Sequence, residues 1–219
     1  KTLPLSPYRV QGFFMRRLII LICFLLMNAG AVAEVGWTQG VTSLSKLPAP
    51  GITDTSVMLN VPHRSQGRDP LCVPTSASMI LAHMGADHDK WELKALAEGH
   101  KPMANQNSDF TYYKDMQKGL RTLGYNWRIR NYKGTAAGFR QGMRDIKTSL
   151  RKGRPVMIDV HLREGHTFVV AGYDDEKQLI YIRDPLLRGS QMRVLSYRTL
   201  LEDWHNHRFG PDRVAFFPK

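Results

Sequence analysis

The chain has 219 residues, 42% of them hydrophobic, with 31 Lys+Arg against 19 Asp+Glu and a formal net charge of +12. Its two cysteines include one, Cys23, inside an apparent export signal, which excludes an internal disulfide in the mature protein. The basic residues are scattered, with no Lys/Arg run longer than Arg151-Lys152 outside that signal, which argues for a generally basic surface and against a specific nucleic-acid groove.

Residues 1–14 fit no export signal and read as an upstream extension foreign to the mature protein. Met15-Arg16-Arg17, the apolar run Leu18 to Met27 and Ala31-Val32-Ala33 supply the n-region, h-region and A-x-A site of a signal peptide over 15–33, with cleavage expected between Ala33 and Glu34. The apolar run is shorter than the about 20 residues a membrane span needs, so none is expected after cleavage. Ile22 before Cys23 argues against a lipid anchor. Removing residues 1–33 takes away four of the 31 bases and no acid, leaving 186 residues with 27 bases, 19 acids and a charge of +8. The expectation is a periplasmic or secreted protein whose surface is drawn to an anionic cell envelope.

Residues 34–55 are rich in Gly, Pro, Ser and Thr and read as an extended N-terminal arm before one domain over 56–219. Ser56 to Val61 reads as a strand stopped by Pro62, and Val73 to Met84 as a helix with an apolar face, closed by Gly85. Pro74 suits that helix's first turn, where its missing N–H costs nothing. Trp91 to Ala97 and Tyr112 to Leu123 are two further predicted helices, separated by a polar loop from Gly99 to Asp109. Tyr125 to Arg130 alternates as a strand, Ala136 to Arg151 is amphipathic, and Pro155 to His161 is apolar and β-branched. Thr167 to Tyr173 and Gln178 to Arg183, joined by Asp174-Asp175-Glu176-Lys177, predict an antiparallel hairpin. Arg193 to Leu195, a short helix over Tyr197 to Trp204 and Val214 to Phe217 complete an α+β pattern, helices first and an antiparallel sheet after.

Cys72 sits directly before the first predicted helix, where unpaired backbone N–H groups favour a thiolate. A cysteine hydrolase also needs a His held by an acceptor on its far nitrogen, and donors for the oxyanion. His166 opens the first strand of the hairpin and Asp184 ends the second, so the hairpin brings them together. Gln66, six residues before Cys72, is far enough for the loop to return its amide to the sulfur. Taken singly, each residue has a structural reading: a small buried thiol, a strand-capping His, an Asp-Pro turn. Found in the order Gln, Cys, His, Asp they favour a site. His161 is the rival base, without a carboxylate partner in the hairpin. His205 and His207 beside Asp203 lack a convincing third metal ligand.

Gln-x5-Cys at the mouth of a helix, Gly165-His166-Thr167-Phe168-Val169-Val170-Ala171-Gly172-Tyr173 and Tyr181-Ile182-Arg183-Asp184-Pro185 resemble the papain-like cysteine peptidases of the C-39-like, bacteriocin-processing kind, over about Ser56 to Asp184 and on toward Phe217. The resemblance implies a papain-like fold with Cys72 as nucleophile, His166 as general base, Asp184 as its orienting partner and Gln66 as oxyanion donor. It implies no cofactor, and a peptide or protein substrate. The transporter-fused members carry Cys-Gly where this chain has Cys72-Val73-Pro74-Thr75-Ser76, and their double-glycine leaders are cut in the cytosol. The chain therefore resembles the stand-alone exported branch, and the substrate does not transfer. A transglutaminase-like acyl transferase and a non-catalytic papain-like binding module are the alternatives, the second opposed by the intact four-residue set.

Overall fold

The computed structural model describes residues 41–42, 47–101, 110–162, 165–189, 191–205 and 210–219. The upstream extension and the signal peptide over 1–33 lie outside the described residues, as does His207. All the described residues belong to one compact unit, Val41–Lys219.

Among them, five helices accompany a nine-stranded sheet in which every pairing is antiparallel. The strands are β1 (Val41–Thr42), β2 (Gly51–Ile52), β3 (Ser56–Met58), β4 (Arg128–Tyr132), β5 (Val156–Val160), β6 (His166–Asp174), β7 (Leu179–Arg183), β8 (Met192–Ser196) and β9 (Arg213–Phe217). The helices are α1 (Cys72–His83), α2 (Lys90–Glu98), α3 (Tyr113–Thr122), α4 (Ala136–Arg151) and α5 (Tyr197–Asp203). The main path of the sheet runs β1-β8-β7-β6-β5-β9-β4, with β3 pairing β6 and β2 pairing β3 beside it. This is the α+β architecture the hydrophobic pattern predicts, three helices preceding most of the sheet.

β6 is the spine. Its first five residues pair with β5 on one edge, and Gly172 to Asp174 then pair with β3 on that same edge. The opposite edge carries β7. All nine residues of β6 are buried, since α1 and α4 both pack on it, and this explains why the strand reads as a continuous apolar run. The expected hairpin from β6 to β7 is present, its turn at residues 175–178 lying one residue beyond the expected 174–177.

α4 buries Phe139, Gly142, Met143, Ile146 and Leu150, at helical spacing, and Thr135 caps it by accepting from the Gly138 N–H at 3.1 Å. Asp89 caps α2 in the same way through the Trp91 N–H at 2.7 Å. Trp127 and Trp204 are 1% and 0% exposed and anchor the core under the sheet's β4–β9 end, as does Phe216.

Three elements depart from the sequence reading. The arm over 34–55 is not uniformly unpatterned: Val41–Thr42 adds an edge strand to β8 and Gly51–Ile52 one to β3. Two-residue strands leave too short a period to detect in sequence. The strand expected from Tyr125 begins at Arg128, because the Tyr125 N–H returns to the Leu120 carbonyl at 3.0 Å and its ring stacks edge-on against His88. The strand expected over Ser56 to Val61 keeps its ladder only to Met58.

Gly172 sits at an irregularity in the β6–β7 register where β3 crosses closely, and a Cβ there would lie 2.3 Å from the Val57 carbonyl oxygen. Gly172→Val therefore loses about 1–3 kcal/mol of stability, read as a lower urea midpoint. Gly51→Ala, with nothing within 4 Å of the new Cβ, leaves the midpoint unchanged.

Candidate active site

Cys72 is the first residue of α1. The residue before it, Leu71, is buried and offers no side-chain cap, so the first-turn N–H groups stay available beside the sulfur, and Pro74 has none to satisfy. Ser76, one turn on, donates to the Thr167 carbonyl at 3.3 Å. That bond clamps α1 to β6 next to His166.

His166 is 5% exposed and its Nε2 lies 2.7 Å from Asp184 Oδ1. Cys72 lines the same cleft, and with Nε2 committed to Asp184 the nitrogen left for the sulfur is Nδ1. Burial alone would discharge the ring. The hydrogen bonds to Asp184 and then Cys72 outweigh it, and the pKa rises from 6.5 to about 9.

Asp184 is 0% exposed. Burial opposes its charge, yet His166, Arg193 and the Leu186 N–H hold its pKa down to about 2. Its oxygens divide the work: Oδ1 accepts from His166 and from the Leu186 N–H at 2.9 Å, and Oδ2 accepts from Arg193 Nε at 3.0 Å and Nη2 at 2.9 Å. Arg193, 5% exposed, is the residue that sequence reasoning missed. An arginine on an edge-ward strand reads as solvated until the β7–β8 register is known.

Gln66 is 6% exposed and lines the same cleft as Cys72 and His166. Its Nε2 gives one proton to the Asp69 carbonyl at 2.7 Å, and the second proton on that nitrogen is available to a ligand. The loop is strapped in place. The Gln66 N–H donates to the Pro185 carbonyl at 2.8 Å, Lys90 Nζ donates to the Ser65 and Gln66 carbonyls at 3.0 and 3.1 Å, and Gly67 turns the chain at φ +79°. The His63 ring bonds the Asp184 carbonyl at 3.0 Å. Three segments that are distant in sequence, around Gln66, His166 and Asp184, are thus one hydrogen-bonded unit.

The rival, His161, stands apart. Its ring stacks on His205 with centroids 4.9 Å apart, and its backbone N–H donates to the Asp203 carbonyl at 2.8 Å. Among the described residues no three His, Cys, Asp or Glu side chains gather in a way that could hold a metal ion. No helix there is long and apolar enough to cross a membrane.

The model of the Peptidase_C39 like family matches residues 58–210, most of the chain and all four residues of this unit. The chain belongs to that family. A double glycine motif protease from an AMS/PCAT transporter, crystallised with its leader peptide, is similar in structure at a TM-score of 0.51, with 16% identity over 78% of this chain and 100% of that one. The peptidase domain of Streptococcus ComA, a bi-functional ABC transporter of a quorum sensing pathway, matches with a TM-score of 0.48 and 16% identity over 71% of this chain and 97% of that one. At 16% identity the first of these likenesses speaks for the fold alone. No curated protein matches the sequence.

In this C39-like chain the His166–Asp184–Arg193 contacts set a pH window for stability. His166, raised to about 9, contributes stability that is complete below its ordinary pKa of 6.5 and is lost as pH rises through about 9. Asp184, lowered to about 2, contributes stability present above its ordinary 3.8 and lost as pH falls through about 2. Asp184→Asn leaves Arg193 buried without its carboxylate and lets burial strip the proton from His166, so it loses about 3–5 kcal/mol at pH 7. In urea titrations from pH 6 to 10 the variant also lacks the wild-type decline above pH 7.

Proposed function

We propose that this chain is an exported cysteine peptidase that acts through Cys72, His166 and Asp184 and a thioester acyl-enzyme. The observation that carries the reading is a buried imidazole 2.7 Å from a buried carboxylate and lining the same cleft as Cys72, the only described cysteine. Membership of the C39-like family supports the reaction class.

The chemistry follows from the charge states. His166 carries its proton at neutral pH, and a charged imidazole beside a cysteine favours the thiolate, the attacking form. The thiolate adds to the carbonyl carbon, and the oxyanion is met by the Cys72 N–H and the second Nε2 proton of Gln66. His166 delivers its proton to the departing amine as the C–N bond breaks, leaving a thioester and a neutral ring. That ring takes a proton from water as the water attacks. The acid departs and Cys72 is released as the thiolate beside a recharged His166. Asp184 and Arg193 fix the ring's orientation throughout and stay charged.

The segment over 15–33 supports export, and the +8 mature charge supports attraction to an anionic envelope. The substrate is accordingly a peptide or protein met outside the cytosol. The relative crystallised with a leader peptide is a double glycine motif protease. A peptide substrate carries over from that likeness, and the glycine pair does not.

Alkylation of the purified protein with iodoacetamide across pH 5 to 9, followed by mass spectrometry, tests the ion pair. Cys72 is expected to react nearly as fast at pH 6 as at pH 8.5, and His166→Ala to abolish that advantage. Reactivity that climbs only around the ordinary thiol pKa of about 8.5, indifferent to His166→Ala, removes the catalytic reading. With a cleaved peptide in hand, Gln66→Ala is expected to lower kcat about 10²–10³-fold while leaving KM nearly constant.

A further inference from the structure

α4 and α5 enclose a second groove, of about 440 Å³. Sheet register separates it from Cys72. In β4 and β9 the pair Asn131–Val214 lines the cleft, and the next pair along, Tyr132–Arg213, points to the opposite face. There the Arg213 guanidinium lies over the Phe139 ring of α4, 5.5 Å from its centroid, and Tyr132 meets Trp204 edge-on. Phe139 is itself part of the second groove, so groove and cleft lie on opposite sides of the sheet.

Each helix gives this groove an apolar floor and a cationic rim. From α4, Phe139 and Met143 form the floor about one turn apart, and Arg140 and Arg144 stand beside them at the same spacing. From α5, Leu201 joins the floor and Arg198 the rim. Phe139 and Met143 are buried, whereas all three arginines are exposed. Among the described residues neither Arg140 nor Arg144 has an acidic partner, and the Arg144 guanidinium donates to the Gln141 side chain at 2.6 Å. Arg198 comes within 3.6 Å of Glu202, but the two side chains are 90% and 66% exposed, and solvent leaves such a pair weak. Further along α4, Lys147 is neutralised by Asp175, which also accepts from the Tyr197 hydroxyl at 2.8 Å.

Arg140, Arg144, Lys147 and Arg151 follow one another at i, i+4, i+7 and i+11, so one stripe of α4 carries four like charges, which repel at that spacing. An anion seated at the rim relieves the repulsion, and an apolar side chain covers the floor. An extended peptide meets both demands. Its side chains alternate, so acidic ones rise to the rim while apolar ones enter the floor. Its successive acids lie about 6.6 Å apart. Arg140 and Arg144 lie about 6 Å apart along the helix axis, which matches that repeat. A lipid bilayer cannot enter a groove between two helices, and a dense polyanion would meet Asp175 inside it.

We propose that the α4–α5 groove is a docking site for a segment of a partner protein in which acidic and apolar residues alternate, with Arg140, Arg144 and Arg198 receiving its carboxylates. The site is separate from the cleft and stands whether or not Cys72 is a nucleophile.

Fluorescence anisotropy with short rhodamine-labelled peptides tests this on the whole chain. A peptide of alternating Glu and Leu is expected to bind on the order of tenfold tighter than its Gln–Leu and Glu–Ser counterparts. Arg140→Glu/Arg144→Glu is expected to lose that binding and to gain affinity for a Lys–Leu peptide, while Cys72 is alkylated by iodoacetamide at the wild-type rate, which reports an intact fold. Arg140→Gln/Arg144→Gln, neutral at the same exposed positions, is expected to weaken the Glu–Leu peptide without gaining the Lys–Leu one. No binding of the Glu–Leu peptide, equal binding of the Gln–Leu or Glu–Ser peptide, or Glu–Leu binding that survives both double variants overturns the proposal. Phosphatidylglycerol vesicles or single-stranded DNA held through the same arginines, with the Glu–Leu peptide left unbound, overturns it too and assigns the patch to that anion.

Discussion

The buried carboxylate of Asp184 is the constraint on which the site depends. A carboxylate with no exposure survives as an anion only if donors surround it, and here three segments provide them: His166 at the start of β6, the Leu186 N–H just beyond β7 and Arg193 on β8. Because the anion is compensated, it can hold a proton on a ring that burial would otherwise strip. The site is thus a chain of buried charges, Arg193, Asp184 and His166, each stabilised by the one behind it.

The fold supplies the distances. β6 and β7 form a hairpin, so His166 and Asp184 approach although 18 residues separate them. The same hairpin hands Pro185 to the Gln66 loop through one backbone hydrogen bond, and Ser76 ties α1 to the residue after His166. Cys72 on a helix and His166 on a strand are thereby held by main-chain and short side-chain contacts rather than by long flexible ones. This is the arrangement that pre-positioned catalysis requires.

What could be read from sequence was what local chemistry and a single hairpin determine. Cys72 before an apolar helix, His166 and Asp184 at matched ends of a hairpin, and Gln66 within a loop's return of the sulfur all fall together in the structure. The helices Val73 to Met84 and Ala136 to Arg151 were legible from their apolar spacing, and both occur within a residue of their expected ends. Arg193 was not legible, because its partner depends on the β7–β8 register, which no short-range pattern carries. The edge strands Val41–Thr42 and Gly51–Ile52 are too short to announce themselves, and they exist because β8 and β3 present open edges to them.

The charge on His166 is the most direct point of contact between this account and experiment. Nitrogen NMR of the protein labelled with ¹⁵N-histidine reports the protonation of each ring nitrogen separately. The account predicts that at pH 7.5 both nitrogens of His166 carry protons, that the ring loses one only near pH 9, and that Cys72→Ala lowers that transition. A His166 ring already neutral at pH 7.5, with its titration unmoved by Cys72→Ala, would contradict the account.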